Sequence, residues 1–97
     1  MTTAPRHEDF APHVGQLFRF DGWHGSLRLF AIESNRAPGV SGLPAEPFTL
    51  IFHGSRGDIL GEGLYGSTTE DGTRFAFYIM PIHTPALDRQ EYQAVFN

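Results

Sequence analysis

In Gly63-Leu64-Tyr65-Gly66-Ser67-Thr68-Thr69-Glu70-Asp71-Gly72-Thr73-Arg74-Phe75-Ala76-Phe77-Tyr78-Ile79-Met80, two strand-like segments flank an Asp-Gly pair. An Asp-Gly pair between two alternating segments is a strong hairpin signal, because glycine accepts the positive φ that such turns require. The last residues, Glu91-Tyr92-Gln93-Ala94-Val95-Phe96-Asn97, form another strand-like run. That run must pair with a neighbour to keep its apolar side chains from water. The sequence therefore predicts an all-β domain.

The same alternation of apolar and polar residues along the rest of the chain predicts about six strands. We place them at Gln16–Asp21, Ser26–Glu33, Phe48–His53, Gly63–Thr69, Arg74–Met80 and Tyr92–Phe96. Short strands separated by Gly-rich turns are typical of a small antiparallel β-barrel or sandwich. In the second strand Leu27, Leu29 and Ala31 share one face while Phe30 and Ile32 point the other way. This strand is therefore expected to carry a bulge or to be covered on both sides.

The N-terminal part of the chain departs from the strand pattern. Residues 1–8 are polar and predict a disordered tail, which leaves residues 9–97 as a single β domain. Glu8–Gly15 predicts one helical turn, with Asp9 as its N-cap and Gly15 at its end. The segment Ser34–Pro47 holds three prolines and two glycines and is expected to be the longest loop.

Composition excludes several classes of function. The chain has no cysteine, so it has neither a disulfide framework nor a zinc–thiolate site. The formal charge is −4 and all seven basic residues are arginines, which disfavours a nucleic-acid backbone as partner. No apolar run approaches the roughly 18 residues of a membrane span, and Met1–Arg6 lacks the core of a signal peptide. We therefore expect no membrane insertion and a cytoplasmic location, with incorporation into a larger assembly as an option.

No catalytic or metal-ligand motif is evident. The five histidines stand at positions 7, 13, 24, 53 and 83, and none of them has an H-x-H, H-x₃-H or H-E-x-x-H spacing. There is no G-x-S-x-G elbow, and Asp58 and Glu62 flank a turn, where solvation explains them. An enzymatic role built on His53 with Asp58 is the weakest of the alternatives. We expect no enzyme activity, no cofactor and no metal.

Five residues are candidates for contact with a partner. Trp23 lies in a turn beside His24, and it either anchors a partner or caps one end of the barrel. His53 lies at the end of the third strand. Tyr92 and Phe96 belong to the last strand, which could add to, or receive, a strand from another protein.

Three places in the chain resemble a family of small bacterial proteins of unknown function. Phe10–Phe18 is similar to its F-x-P-L-V-G-x-x-F pattern, and Phe48–Gly54 followed by Leu60–Tyr65 is similar to its F-x-L-x-F-x-G strand and Q-G-x-Y step. Phe75–Ile82 and Glu91–Asn97 look like its F-x-L-F-L-V-P-V and Y-E-A-V-F-N segments. The chain departs from the family at Glu62 and Gln93, and Thr68–Asp71 lacks the usual H-P pair. The resemblance implies a compact β domain that is sometimes encoded near phage-tail-like fibre or collar proteins.

Two hypotheses of function follow from these observations. The first is a structural or protein-interaction module that binds another protein or a second copy, with a phage-tail-like fibre assembly as the expected setting. The second is a small-ligand-binding β-barrel, whose pocket would be lined by phenylalanines, with Trp23, His24 and His53 as polar contacts.

Overall fold

The computed structural model describes residues 5–34 and 47–96 of the chain. A four-residue helix, α1, spans His7–Phe10, and a 3-10 helix follows at Ala11–His13. The strands are β1 Leu17–Phe20, β2 Ser26–Ser34, β3 Phe48–Gly54, β4 Gly63–Thr69, β5 Arg74–Ile82 and β6 Gln90–Phe96.

The six strands close into a barrel in the order β1-β2-β3-β6-β5-β4, and every neighbouring pair is antiparallel. The consecutive strands β1, β2 and β3 form a meander, and β4 returns to pair with β1, which is the Greek-key arrangement. The all-β class is thereby confirmed, and the fold is the barrel rather than the sandwich. Closure gives every strand two neighbours.

The hairpin between β4 and β5 forms where the Asp-Gly pair predicts it. Gly72 has a φ of +90°, which is the left-handed conformation that glycine adopts at little cost. The Asp71 carboxylate accepts hydrogen bonds from the Thr69 hydroxyl at 2.5 Å and from the Thr73 backbone N–H at 3.2 Å. These bonds, led by the one from Thr69, lower the pKa of Asp71. The turn is thus held by its own side chains.

The bulge expected in β2 is present, between Leu29 and Ala31. Leu27 and Leu29 face the interior before it, and after it Ile32 lies opposite Leu50 and packs against the core. Of the two alternatives that the sequence leaves open, the bulge is the one that the structure has. Because it inserts one residue, Ala31 faces outward and Ile32 faces inward.

Aromatic rings fill the barrel. Phe18 and Phe52 meet edge to face with their centroids 5.2 Å apart, and Phe20 and Phe77 do so at 5.9 Å. Such tilted contacts are preferred between aromatic rings because of their quadrupoles. Phe10 closes the end of the barrel at which α1 lies, called here the α1 end, where its ring stacks on Phe75 at 4.3 Å. The opposite end, where Trp23 packs against the core, is called the Trp23 end.

The N-terminal segment differs from expectation in two respects. The N-cap of α1 is Arg6, not Asp9; the Asp9 carboxylate instead accepts a 2.8 Å hydrogen bond from the Arg6 backbone N–H three residues earlier. The predicted tail boundary at residue 8 falls inside α1, which begins at His7 and ends at the fully buried Phe10. Of the predicted loop Ser34–Pro47, Ser34 is the last residue of β2, and residues 35–46 lie outside the described residues.

Candidate interaction surfaces

Two large side chains stand side by side on the outside of the β4–β5 hairpin. Leu64 and Tyr78 are directly opposite each other across the ladder, with 73% and 47% of their surface exposed. The Tyr78 hydroxyl donates a hydrogen bond to the Glu62 carboxylate, which raises the pKa of Tyr78 because ionisation would place two negative charges together. We call the surface formed by Leu64, Ala76, Tyr78 and Glu62 the β4–β5 face.

A second apolar surface covers the outside of β2, β3 and β6. Its centre is Phe30, 59% exposed, with Ala31 and Ile51 half-buried beside it and Val95 on β6. Ala31 on β2 pairs with Ile51 on β3. Val95 on β6 pairs with Thr49, which also faces outward from β3. We call this surface the β2–β3 face. Outward-facing barrel positions are ordinarily polar, so both faces are candidates for contact with another molecule.

His53 borders the β2–β3 face. The Phe30 ring stacks on its imidazole with centroids 4.1 Å apart and an interplanar angle of 16°. Loss of water around the imidazole is the main reason that the pKa of His53 is lowered. Glu91 lies 3.8 Å from His53 Nε2, but its carboxylate accepts hydrogen bonds from Arg89 at 2.8 and 2.9 Å. The neutral imidazole is therefore favoured.

Trp23 and His24 lie together at the Trp23 end, with their ring centroids 5.8 Å apart. The indole of Trp23 lies over Gly25, where an added Cβ would be 2.9 Å from the ring. His24 is exposed, and its Nε2 is 3.3 Å from an Asp58 carboxylate oxygen on the turn after β3. Arg56 on that turn donates hydrogen bonds to three carbonyls of the loop between β5 and β6, those of Thr84, Ala86 and Arg89. These contacts join the loops of this end to one another.

Tyr92 and Phe96 direct their side chains into the barrel. Tyr92 is fully buried, and its hydroxyl accepts a 2.9 Å hydrogen bond from the Leu60 backbone N–H. Burial raises the pKa of Tyr92. Phe96 stacks on Phe48 at 4.5 Å at the α1 end. The five predicted contact residues thus lie in separate regions: the Trp23 turn, the outside of β3 and the barrel interior.

Sequence reasoning did not single out Phe30, Leu64 or Tyr78 as contact residues. The signal that could have identified them is the presence of large apolar side chains at two consecutive positions of one strand. Leu64 and Tyr65 are neighbours on β4, and Phe77 and Tyr78 are neighbours on β5. Since adjacent residues face opposite sides of a sheet, one member of each pair must point outward.

A cleft of about 280 Å³ opens at the α1 end, between the helical segment and the neighbouring strands. Its lining residues are His7, Ala11, Ile32, Ser34, Pro47 and Phe48. The lining is mostly apolar and includes one imidazole and one hydroxyl. Neither Trp23 nor His24 nor His53 lines it, so the sequence hypothesis of a pocket with these three polar contacts does not describe this cleft.

Potential metal ligands are not clustered in the part of the chain that the structure describes. Across residues 5–34 and 47–96, no three His, Cys, Asp or Glu side chains are grouped as metal ligands would be. Within the same residues, none of the helices has the length and apolar character needed to cross a bilayer.

These observations define a small closed Greek-key barrel with a packed aromatic interior and two apolar outer faces. The chain belongs to the family described as Domain of unknown function (DUF6916), whose model matches residues 5–96. No curated protein and no solved structure matches the chain. The resemblance noted in the sequence is thereby confirmed as membership of a domain family of unknown function.

Proposed function

We propose that this protein is a non-enzymatic structural or protein-interaction module that binds another protein through its β4–β5 face. The observation that carries the proposal is the exposed pair Leu64 and Tyr78. Two neighbouring large apolar side chains in water forgo burial energy of about 25 cal/mol per Å². Tyrosine is also enriched among the residues that dominate binding energy at protein interfaces. A partner that covers the pair recovers this energy.

The charges at this face indicate the chemistry of the partner. Glu62 places a carboxylate at the margin of the apolar pair, and its link to the Tyr78 hydroxyl fixes its position. Farther along the hairpin, Arg74 and Asp21 form a two-pronged ion pair at 2.7 and 2.9 Å and neutralise each other. With a net charge of −4 on the chain, the complementary surface is an apolar patch with a basic margin. A nucleic acid would meet repulsion instead.

The expected setting of the partner comes from the family resemblance rather than from the barrel. We place the module in the cytoplasm, as an accessory to a phage-tail-like fibre assembly. The proposal that the protein is not an enzyme rests on the sequence, which has no catalytic motif; the polar contacts of the described residues are short-range pairs. Glu91 is held by Arg89, His24 lies against Asp58, and His13 Nδ1 is 3.1 Å from the Gln16 amide oxygen.

The test is affinity purification from the source cells with matched variants. We expect the wild-type chain to retain a partner at near-equal stoichiometry, and Leu64→Ser/Tyr78→Ser to reduce its yield about tenfold or more. Leu87→Ser is the control, because Leu87 is the most exposed large apolar side chain of the described residues but lies on the loop between β5 and β6. Retention of the partner by the double variant, or its equal loss from the control, would refute the role of this face.

A second candidate function is supported by the cleft at the α1 end. A small apolar molecule with one polar group could lie against Phe48 and Ile32, with His7 or Ser34 meeting its polar end. A thermal-shift screen of such molecules on the wild-type chain and on Ala11→Phe tests this, because the larger ring would occupy the cleft. Compounds that stabilise both proteins equally, or neither of them, would end this alternative.

A further inference from the structure

The two ends of the β2–β3 face carry opposite charges. Arg28 lies at one end of the face on β2, and Glu33 lies at the other end on the same strand; both are exposed. Their pairing partners on β3 are His53 and Thr49, so both side chains lie on the outside of the barrel. The apolar residues of the face, Phe30 foremost, stand between them. The face therefore runs from positive through apolar to negative.

Neither charge is neutralised by an opposite charge in the described structure. The Arg28 guanidinium donates a hydrogen bond to the Gly15 carbonyl, which orients it but leaves its charge uncompensated. For Glu33, no ion pair with another described residue is present. By contrast, Arg74 and Arg89 both face carboxylates within 3 Å. Two uncompensated charges of opposite sign at the ends of one apolar strip form a self-complementary pattern.

We propose that the β2–β3 face binds a second copy of this chain in an antiparallel, twofold-symmetric dimer. In such an interface the same patch serves both subunits, so that residue i meets residue j and residue j meets residue i. A twofold axis that passes between Phe30 and Ala31 lies equally far along β2 from Arg28 and from Glu33, at roughly 8 Å for extended chain. Arg28 then meets Glu33 of the partner subunit, and Glu33 meets Arg28 of the partner subunit.

This interface goes beyond the proposed function and does not depend on it. The β4–β5 face lies on other strands, so each subunit of the dimer keeps its Leu64 and Tyr78 exposed for the partner protein. The two charge pairs also account for how two chains of net charge −4 can associate. Between two copies arranged in parallel, like charges would meet at both ends, which selects the antiparallel arrangement.

Charge exchange provides the test, with molar mass measured by sedimentation equilibrium at low salt. Arg28→Glu and Glu33→Arg each place like charges opposite each other at both ends of the dimer, and each is expected to weaken association about tenfold or more. The double variant Arg28→Glu/Glu33→Arg restores opposite charges and should dimerise as the wild type does. An equimolar mixture of the two single variants should form a heterodimer more tightly than either variant forms a homodimer.

Apolar substitutions separate the two faces. Phe30→Ser should yield a monomer, whereas Leu64→Ser should leave the dimer unchanged. A wild-type chain that is monomeric at about 1 mM would overturn the proposal, since even a weak dimer would be populated there. So would single charge variants that dimerise as the wild type does, or a mixture with no heterodimer. A dimer that Leu64→Ser dissociates and Phe30→Ser does not would assign association to the other face.

Discussion

Replacement of Tyr92 by phenylalanine tests how the turn after β3 is fastened to the core. The Tyr92 hydroxyl is buried and accepts the hydrogen bond of the Leu60 N–H, and Leu60 is itself 3% exposed. Phenylalanine keeps the ring and removes only the acceptor. The Leu60 N–H is then left in an apolar setting without a partner, which is the costly way to lose a hydrogen bond.

The expected loss of stability is about 1–3 kcal/mol, the desolvation cost of one unsatisfied buried donor. Unfolding entropy of about 2.1 cal/mol/K per residue amounts to about 200 cal/mol/K for 97 residues. The melting temperature should therefore fall by about 5–15 °C. Urea unfolding followed by Trp23 fluorescence should show a lower midpoint and an unchanged m value, because the surface exposed on unfolding does not change.

Tyr65→Phe is the matched control. The Tyr65 hydroxyl donates a 2.8 Å hydrogen bond to the Gly61 carbonyl in an exposed position, so water replaces it. We expect a change within about 0.5 kcal/mol for this variant. Equal effects of the two substitutions, or a gain of stability in Tyr92→Phe, would refute the assignment of a buried, structural hydrogen bond to Tyr92.

The stability of the protein at alkaline pH provides a second test of the burial of Tyr92. Because burial raises the pKa of Tyr92, the folded state holds its proton more tightly than the unfolded state does. Stability from this group is complete below the unfolded pKa of about 10 and declines as the pH rises beyond it. The decline should be smaller in Tyr92→Phe, with Tyr78, whose pKa is also raised, supplying the part that remains.

Three further outcomes are expected. Gly54→Ala should cost about 1–3 kcal/mol, because its Cβ would lie 2.3 Å from Cδ2 of the fully buried Leu27, whereas Gly57→Ala, whose nearest neighbour is 3.7 Å away, should not; equal urea midpoints would contradict this. Gly72→Ala meets no neighbour within 4 Å, so its expected cost of about 1 kcal/mol is the backbone strain of a φ of +90° and should appear in the unfolding midpoint. The lowered pKa of His53 means that the unfolded state binds its proton first, so stability should fall as the pH drops below about 6.5, and His53→Gln should flatten the curve between about pH 5 and 7; identical curves would show that His53 is not the group responsible.

Much of the fold could be predicted from local sequence patterns. The alternation at Phe48, Leu50 and Phe52 placed β3 correctly because one face of that strand is buried against a continuous core. The Asp71-Gly72 turn was predictable because positive φ is a local demand that only a few residues meet cheaply. Closure of the barrel was not predictable, since it depends on β4 pairing with β1 across 40 or more intervening residues.

The candidate site was harder to predict than the fold. The sequence makes Tyr92 a candidate for contact because its strand is the last of the chain and could pair with a strand of another protein; in the barrel, β6 pairs with both β3 and β5, and the Tyr92 ring points inward. Residue type predicts Asp9 as the N-cap; in the structure Arg6 has that position, and Asp9 is the third residue of the helix, where its carboxylate accepts a hydrogen bond from the Arg6 N–H. The direction of Tyr92 thus depends on tertiary pairing, whereas the role of Asp9 depends on a local alternative, the capping box, that residue type alone does not distinguish from an N-cap.

The bulge in β2 connects the fold to the proposed dimer. With strict alternation from the buried Leu29, Ala31 and Glu33 would both face the interior, and a carboxylate would be buried without a counter-charge, at a cost of several kcal/mol. The inserted residue at Phe30 reverses the alternation, so Ile32 enters the core and Glu33 leaves it. The same reversal puts Phe30 and Ala31 outside in succession and sets Arg28 and Glu33 on one face. Deletion of Phe30 would close the bulge and leave Ala31 outside, Ile32 inside and Glu33 outside, each with its present partner on β3. It should therefore remove the apolar centre of the face and leave Arg28 and Glu33 on the same side, so loss of the dimer in this variant would show that the charges alone do not hold it.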